Sequence, residues 1–74
     1  MKKIMKTNKH WYPYEDMGSY YKLEEGELLF AAMNTDGSID MDGDEVNFGV
    51  VEYREPQDQA RMAEIVKELE EKEW

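Results

Sequence analysis

Residues 34–45 read NTDGSIDMDGDE: five carboxylates and two glycines, with no basic residue among them. Closely spaced carboxylates are oxygen donors for hard cations, so calcium is the first chemistry to test. An EF-hand loop needs donors at positions 1, 3 and 5, glycine at 6 and a bidentate glutamate at 12. With Gly37 at position 6, position 1 falls on Ala32 and position 12 on Gly43. With Gly43 at position 6, they fall on Ser38 and Gly49. Both registers lack the glutamate, and the flanks alternate as strands do. The stretch is read as two tight turns, with no metal site and no cofactor. A calcium-responsive module stays as the last of three functional readings.

Other reactive chemistry is sparse. His10 is the sole histidine and there is no cysteine, which excludes disulfides and thiolate zinc sites. Ser19, Ser38, Thr7 and Thr35 have no base placed to activate them, and no glycine-rich loop is built to cradle phosphate. Carboxylates on turns lack the enclosed pocket that pushes paired pKa values apart for acid–base work. The chain is read as a non-enzyme.

What remains is charge. The net charge is −9 and the pI about 4.4. Direct binding to nucleic acid needs a basic footprint and is disfavoured. No apolar run approaches the roughly 20 residues of a membrane span, and the N-terminus lacks the apolar stretch of a secretory signal. A reducing cytoplasm fits these features. Lys2, Lys3, Lys6 and Lys9 precede any acid, whereas Leu23 to Tyr53 contains nine acids and no lysine or arginine.

The elements that must position these acids follow from turn chemistry. Glu25-Gly26, Asp36-Gly37 and Asp42-Gly43 each read as a two-residue hairpin turn needing positive φ. That sets Leu23 opposite Leu28, Tyr21 opposite Phe30, Asn34 opposite Ile39, Ala32 opposite Met41 and Ile39 opposite Val46. Opposed and alternate residues share a face. One face then collects Tyr21, Leu23, Leu28, Phe30, Ala32, Ile39, Met41, Val46, Phe48 and Val50, and a one-residue slip at any turn would scatter it. After Pro56, suited to a first helical turn, Met62, Ile65, Val66 and Leu69 form a stripe at helical spacing. Arg61/Glu64 and Glu68/Lys72 are spaced to pair across one turn. The expected fold is α+β: a small antiparallel β-meander of about four strands packed by one C-terminal α-helix. Residues 1–74 form one domain. Residues 1–10 are a basic arm or a short fifth strand, 11–18 an aromatic loop, 19–53 the meander and 56–73 the helix.

In this meander the first and third turns lie at one end of the sheet. That rim gathers Glu24, Glu25, Glu27, Asp42, Asp44 and Glu45, at a cost in self-repulsion. Glu70, Glu71 and Glu73 repeat the pattern in the last helical turn, at the negative end of the macrodipole. The rim, with Glu70 and Glu71, is the candidate partner-binding surface. Solubility is the bland explanation.

The second sheet face would carry Tyr20, Lys22, Leu29, Ala31, Met33, Asp40, Asn47, Gly49, Val51 and Tyr53. It is too apolar to be fully wet. Either the aromatic loop around Trp11, Tyr12 and Tyr14 covers it, or Leu29, Met33, Val51, Trp11 and Trp74 form an alternative interface. In size, charge and lack of catalytic apparatus, the chain resembles the small acidic nucleic-acid mimics of mobile elements such as phage, including anti-restriction and anti-CRISPR inhibitors. The resemblance implies a basic, nucleic-acid-binding protein as partner. The alternative is a structural or oligomerising domain, a monomer or weak homodimer, using the second face.

Overall fold

A computed structural model describes residues 6–52 and 54–72. Six short strands precede one helix: β1 (Tyr12–Tyr14), β2 (Ser19–Glu24), β3 (Glu27–Ala32), β4 (Met41–Asp42), β5 (Glu45–Val46), β6 (Phe48–Val50) and α1 (Pro56–Glu70). An antiparallel sheet runs in the order β1-β2-β3-β6, and β4 and β5 form a separate hairpin. The expected α+β class, a small antiparallel sheet with one C-terminal helix, is what the chain adopts. The possible extra strand at residues 2–7 lies largely outside the described residues.

The first turn has the expected geometry. Glu25 and Gly26 both take positive φ, 51° and 81°. Leu23 therefore faces Leu28 and Tyr21 faces Phe30. Helix α1 begins at Pro56 and buries Met62, Ile65 and Leu69 against Tyr21, Leu23 and Leu28. Val66, Tyr12, Tyr14, Met17 and Val51 fill in around them. Each buried side chain of this size contributes about 1.5–3 kcal/mol of transfer free energy. Arg61 pairs with Glu64 at 3.1 Å, as its spacing suggests, and reaches back to Asp16 in the single 3-10 turn after β1. Lys72 does not pair with Glu68; its ammonium lies 4.9 Å from the centre of the Tyr12 ring.

The second turn departs from expectation, and the departure propagates. The Gly37 N–H donates to the Asn34 carbonyl at 2.9 Å, and the Asn34 N–H to the Ser38 carbonyl at 2.7 Å. The loop is therefore three residues, Thr35-Asp36-Gly37, closed by Asn34 and Ser38. This is a turn finished by glycine with positive φ, here 89°, the three-residue hairpin connection next in frequency to the two-residue ones. Local side chains favour it. The Asp36 carboxylate accepts from both the Ser38 N–H (2.9 Å) and its hydroxyl (2.6 Å), which holds its carboxyl below the usual range. Asn34 donates to the Ser38 hydroxyl at 2.9 Å. The extra residue puts Ile39 opposite Met33 rather than Asn34. This is a one-residue slip, and it exchanges the faces of everything that follows in the main sheet.

The expected single apolar face is thus corrected. Phe48 sits opposite Ala31 and Val50 opposite Leu29, while Gly49 faces Phe30. Phe30 and Phe48 lie on opposite faces. Val51 packs on the helix side, not beside Leu29. The stretch 38–42 is not a central strand. The chain runs beside β3 only through Ile39 and Asp40, leaves as the β4–β5 hairpin, and returns at Asn47, whose N–H donates to the Asp40 carbonyl at 3.0 Å. The third turn is Gly43-Asp44, not Asp42-Gly43, so Met41 faces Val46 and is exposed. The fourth strand of the sheet is β1, drawn from the segment read as an aromatic loop.

Candidate partner-binding surface

Glu24 ends β2, Glu27 begins β3, and the two are directly opposed across the turn that carries Glu25. All three are exposed. Asp42 and Glu45 are likewise opposed in the β4–β5 hairpin, with Asp44 at its tip, and all three are exposed. The six do not share one rim. The β4–β5 hairpin leaves the sheet beside Ala31 and Ala32, the far end of β3 from Glu27. Ala31 lies four steps along the strand from Glu27, about 13 Å at strand rise. The expected rim placed both turns at one end because it assumed an unbroken central strand.

The sheet end bearing Glu24, Glu25 and Glu27 has other company. Residues 6–8 run beside it: the Asn8 N–H donates to the Leu23 carbonyl at 2.9 Å, and the Gly26 N–H to the Lys6 carbonyl at 3.0 Å. The Thr7 hydroxyl accepts from the Glu25 N–H at 2.9 Å. The same segment holds the end of α1. Lys6 Nζ donates to the Glu70 carbonyl at 3.1 Å and Asn8 Nδ2 to the Leu69 carbonyl at 2.9 Å. Glu70 (half-buried) and Glu71 (exposed, capping the helix) therefore stand at the same end of the molecule as the Glu24–Glu27 turn. The acids form two groups: Glu24, Glu25, Glu27, Glu70 and Glu71 at one end, and Asp42, Asp44 and Glu45 on the side hairpin. Lys6 adds a cation from outside the helix to the one that the last turn already carries, Lys67, and both suit the negative end of the macrodipole.

Nothing in sequence periodicity pointed to Asn8. Its role depends on a helix that begins 48 residues later, so its only signal was being a lone amide between lysines. Glu73, Tyr53 and Trp74 lie outside the described residues.

The alternative interface is not assembled as expected. Leu29 is only 3% exposed and Ala31 only 1%. Trp11 lies 5.8 Å from Phe48 and beneath the Lys22 ammonium, and these flank Leu29 and Ala31 in the ladder. The indole, held between these two neighbours, is placed on the face where Leu29 and Ala31 are buried. Met33 is half-buried in its bridge to Ile39, and Val51 belongs to the helix-side core. Among the described residues, the large apolar side chains left exposed are Phe30, Met41, Phe48 and Val50.

Among the described residues, no three His, Asp or Glu side chains are grouped to hold a metal ion. His10 is exposed. Burial, followed by the nearby Glu68 carboxylate, pushes the Tyr14 phenol up to about 12; the hydroxyl itself is buried without a hydrogen-bond partner. Among the described residues no helix is long and apolar enough to cross a membrane. Compared with known proteins, the chain matches no family model, no curated protein and no solved structure.

Proposed function

We propose that this is a non-enzymatic acidic binding protein of the cytoplasm. It presents carboxylates to a basic, nucleic-acid-binding protein and inhibits it in the manner of the nucleic-acid mimics of mobile elements. One observation carries the reading: both acidic hairpins are closed by directly opposed like charges, Glu24 against Glu27 and Asp42 against Glu45. Like charges directly opposite destabilise a strand pair. Glu25 adds to this by taking a positive φ that glycine or asparagine would adopt more easily. Three departures from local stability, all in favour of carboxylates, support selection for negative surface. Such a surface would draw on the partner's own electrostatic steering.

The test is capture from a host lysate at low and high salt, with DNA as competitor. A basic partner retained at low salt, lost at high salt and displaced by DNA is the expected result. Reversal of Glu24, Glu25 and Glu27, and separately of Asp42, Asp44 and Glu45, should each weaken capture while the fold persists, because turn tips carry little packing. If the two triple reversals together bind as the parent does, the acids serve solubility alone.

The oligomerising reading keeps only part of its original support. Leu29 and Ala31 are covered within one chain, so Phe48 and Val50 on β6 are the residues left to carry it.

A further inference from the structure

We propose that the free edge of β6 is a docking site for an extended, basic segment of a partner protein, which adds to the sheet as a fifth antiparallel strand. The partner's charge is taken from the function proposed above; the geometry is independent of it.

The phase of the ladder opens this edge. The Val51 N–H donates to the Leu28 carbonyl at 3.0 Å, so residues 51 and 28 occupy a hydrogen-bonded position. Alternation in an antiparallel pair puts Gly49 and Phe30 in the next such position. Phe48 and Val50 then direct their N–H and C=O groups away from β3. Among the described residues nothing bonds these groups. The two edges of the sheet differ in how they are protected. Edge strand β1 carries Pro13, a common guard against pairing. The run Phe48-Gly49-Val50-Val51 has no proline and no charge, and Phe48 and Val50 are 53% and 48% exposed.

Beside this edge lies a groove of about 560 Å3, lined by Ser19, Tyr21, Phe30, Gly49, Val50 and Glu52 among others. Gly49 shapes it. A Cβ there would stand 3.2 Å from Phe30 Cε1, so glycine lets the Phe30 ring lie across β6 with its outer side open. An incoming strand would meet backbone donors and acceptors along the edge and an apolar wall in the groove, the two components of strand addition.

Charge selects the occupant. Asp40, Asp42, Asp44 and Glu45 precede β6 with no lysine or arginine among residues 40–52, and Glu52, which pairs with Arg54 at 2.8 Å, follows it. A second copy would bring the same acids to the same edge at a net charge of −9 each. A segment alternating apolar and basic side chains satisfies both the groove and the flanks.

The probe is a capped ten-residue peptide alternating lysine with valine or threonine, titrated into the protein and followed through backbone amide chemical shifts. Saturable shifts at Phe48 and Val50 are expected. Binding should be about tenfold weaker when the peptide's edge-facing amides are N-methylated, a change that keeps the charge and removes the donors. Val50→Pro should weaken it similarly, since that N–H serves no bond to β3; Val50→Lys is the companion variant should proline perturb the fold. Equal binding of the N-methylated peptide overturns the edge and leaves the acidic-surface reading standing. Equal binding of a neutral peptide with the same alternation overturns the basic occupant and counts against that reading as well. Concentration-dependent shifts at Phe48 and Val50 without peptide make the occupant a second copy and overturn the proposal.

Discussion

Asn8 joins the sheet to the end of the helix: its Nδ2 donates to the Leu69 carbonyl at 2.9 Å while its Oδ1 accepts the Leu23 N–H at 2.8 Å. The residue is 2% exposed. The Leu23 N–H would be stranded without it, while the Leu69 carbonyl would keep the Lys72 N–H at 3.2 Å, and a buried unsatisfied group costs about 1–3 kcal/mol. Asn8→Ala should therefore lose about 1–3 kcal/mol, read as a fall in melting temperature of roughly 5 °C or more for a domain of this size. Asn8→Asp should be worse at neutral pH, because it replaces a donor with a carboxylate at the negative end of α1. It should recover partly on acidification, when the protonated acid donates again. A melting curve unchanged in both variants would refute the clamp.

Glu25 is the one non-glycine residue among those described with positive φ, at 51°. The left-handed conformation costs an L-residue about 1–2 kcal/mol. Glu25→Gly should raise stability by roughly 0.5–1 kcal/mol, measured by urea unfolding. If Glu25 belongs to the binding surface, the same variant should bind its partner less tightly, so stability and capture should move in opposite directions.

Alkaline pH should expose the burial of Tyr14. Its phenol is pushed up to about 12 in the folded protein, by burial first and then by Glu68, from an unfolded value near 10. Tyr21 is raised too, chiefly by burial. A folded pKa above the unfolded one gives a contribution to stability that is fully present below about pH 10 and disappears as pH rises through the folded value. Stability should therefore fall between about pH 10 and 12. Tyr14→Phe should flatten part of that fall, because it removes the group whose folded pKa is raised. An unaltered alkaline unfolding curve in the variant would count against this account.

Gly37 sets the register of the second hairpin. At φ 89° a side chain is strained even though the space around it is open, so Gly37→Ala should cost about 1–2 kcal/mol. Asp36→Ala should cost less, through loss of its two bonds from Ser38. Amide exchange at Asn34 and Ser38 should accelerate in both variants.

Millimolar calcium should leave the melting temperature and spectrum nearly unchanged. Asp36 is turned onto Ser38, and Asp40 accepts from Asn47 at 3.2 Å, so these two acids make bonds of their own, and no three acids of the loop are grouped to hold an ion. Saturable binding at micromolar calcium would overturn this.

The elements legible in the sequence were those governed by neighbours along the chain. The Met62–Leu69 stripe and Pro56 placed the helix, and Glu25-Gly26 placed the first hairpin with its register, because one turn type accounts for that loop. Asp36-Gly37 is compatible with two loop lengths. Side chains at Asn34, Asp36 and Ser38 choose the longer, and that one residue exchanges the faces of Phe48, Val50 and Val51. Pattern alone could not reveal the error, since strands rich in Phe and Val look equally inward in either phase.

Composition and turn chemistry by themselves determined the class of fold, the helix and the unbroken acidity of residues 23–53, since each is a property of residue type and short-range spacing. Tertiary structure decided where those acids stand. It split Glu24, Glu25 and Glu27 from Asp42, Asp44 and Glu45, and joined the first set to Glu70 and Glu71 through Lys6 and Asn8. It also chose which strands stand at the two edges of the sheet, β1 with its proline and β6 without one. The physical reason is common to all three. Strand order and hydrogen bonds between distant segments depend on contacts that sequence spacing does not encode, whereas the period of a helix and the φ of a turn are written within a few residues.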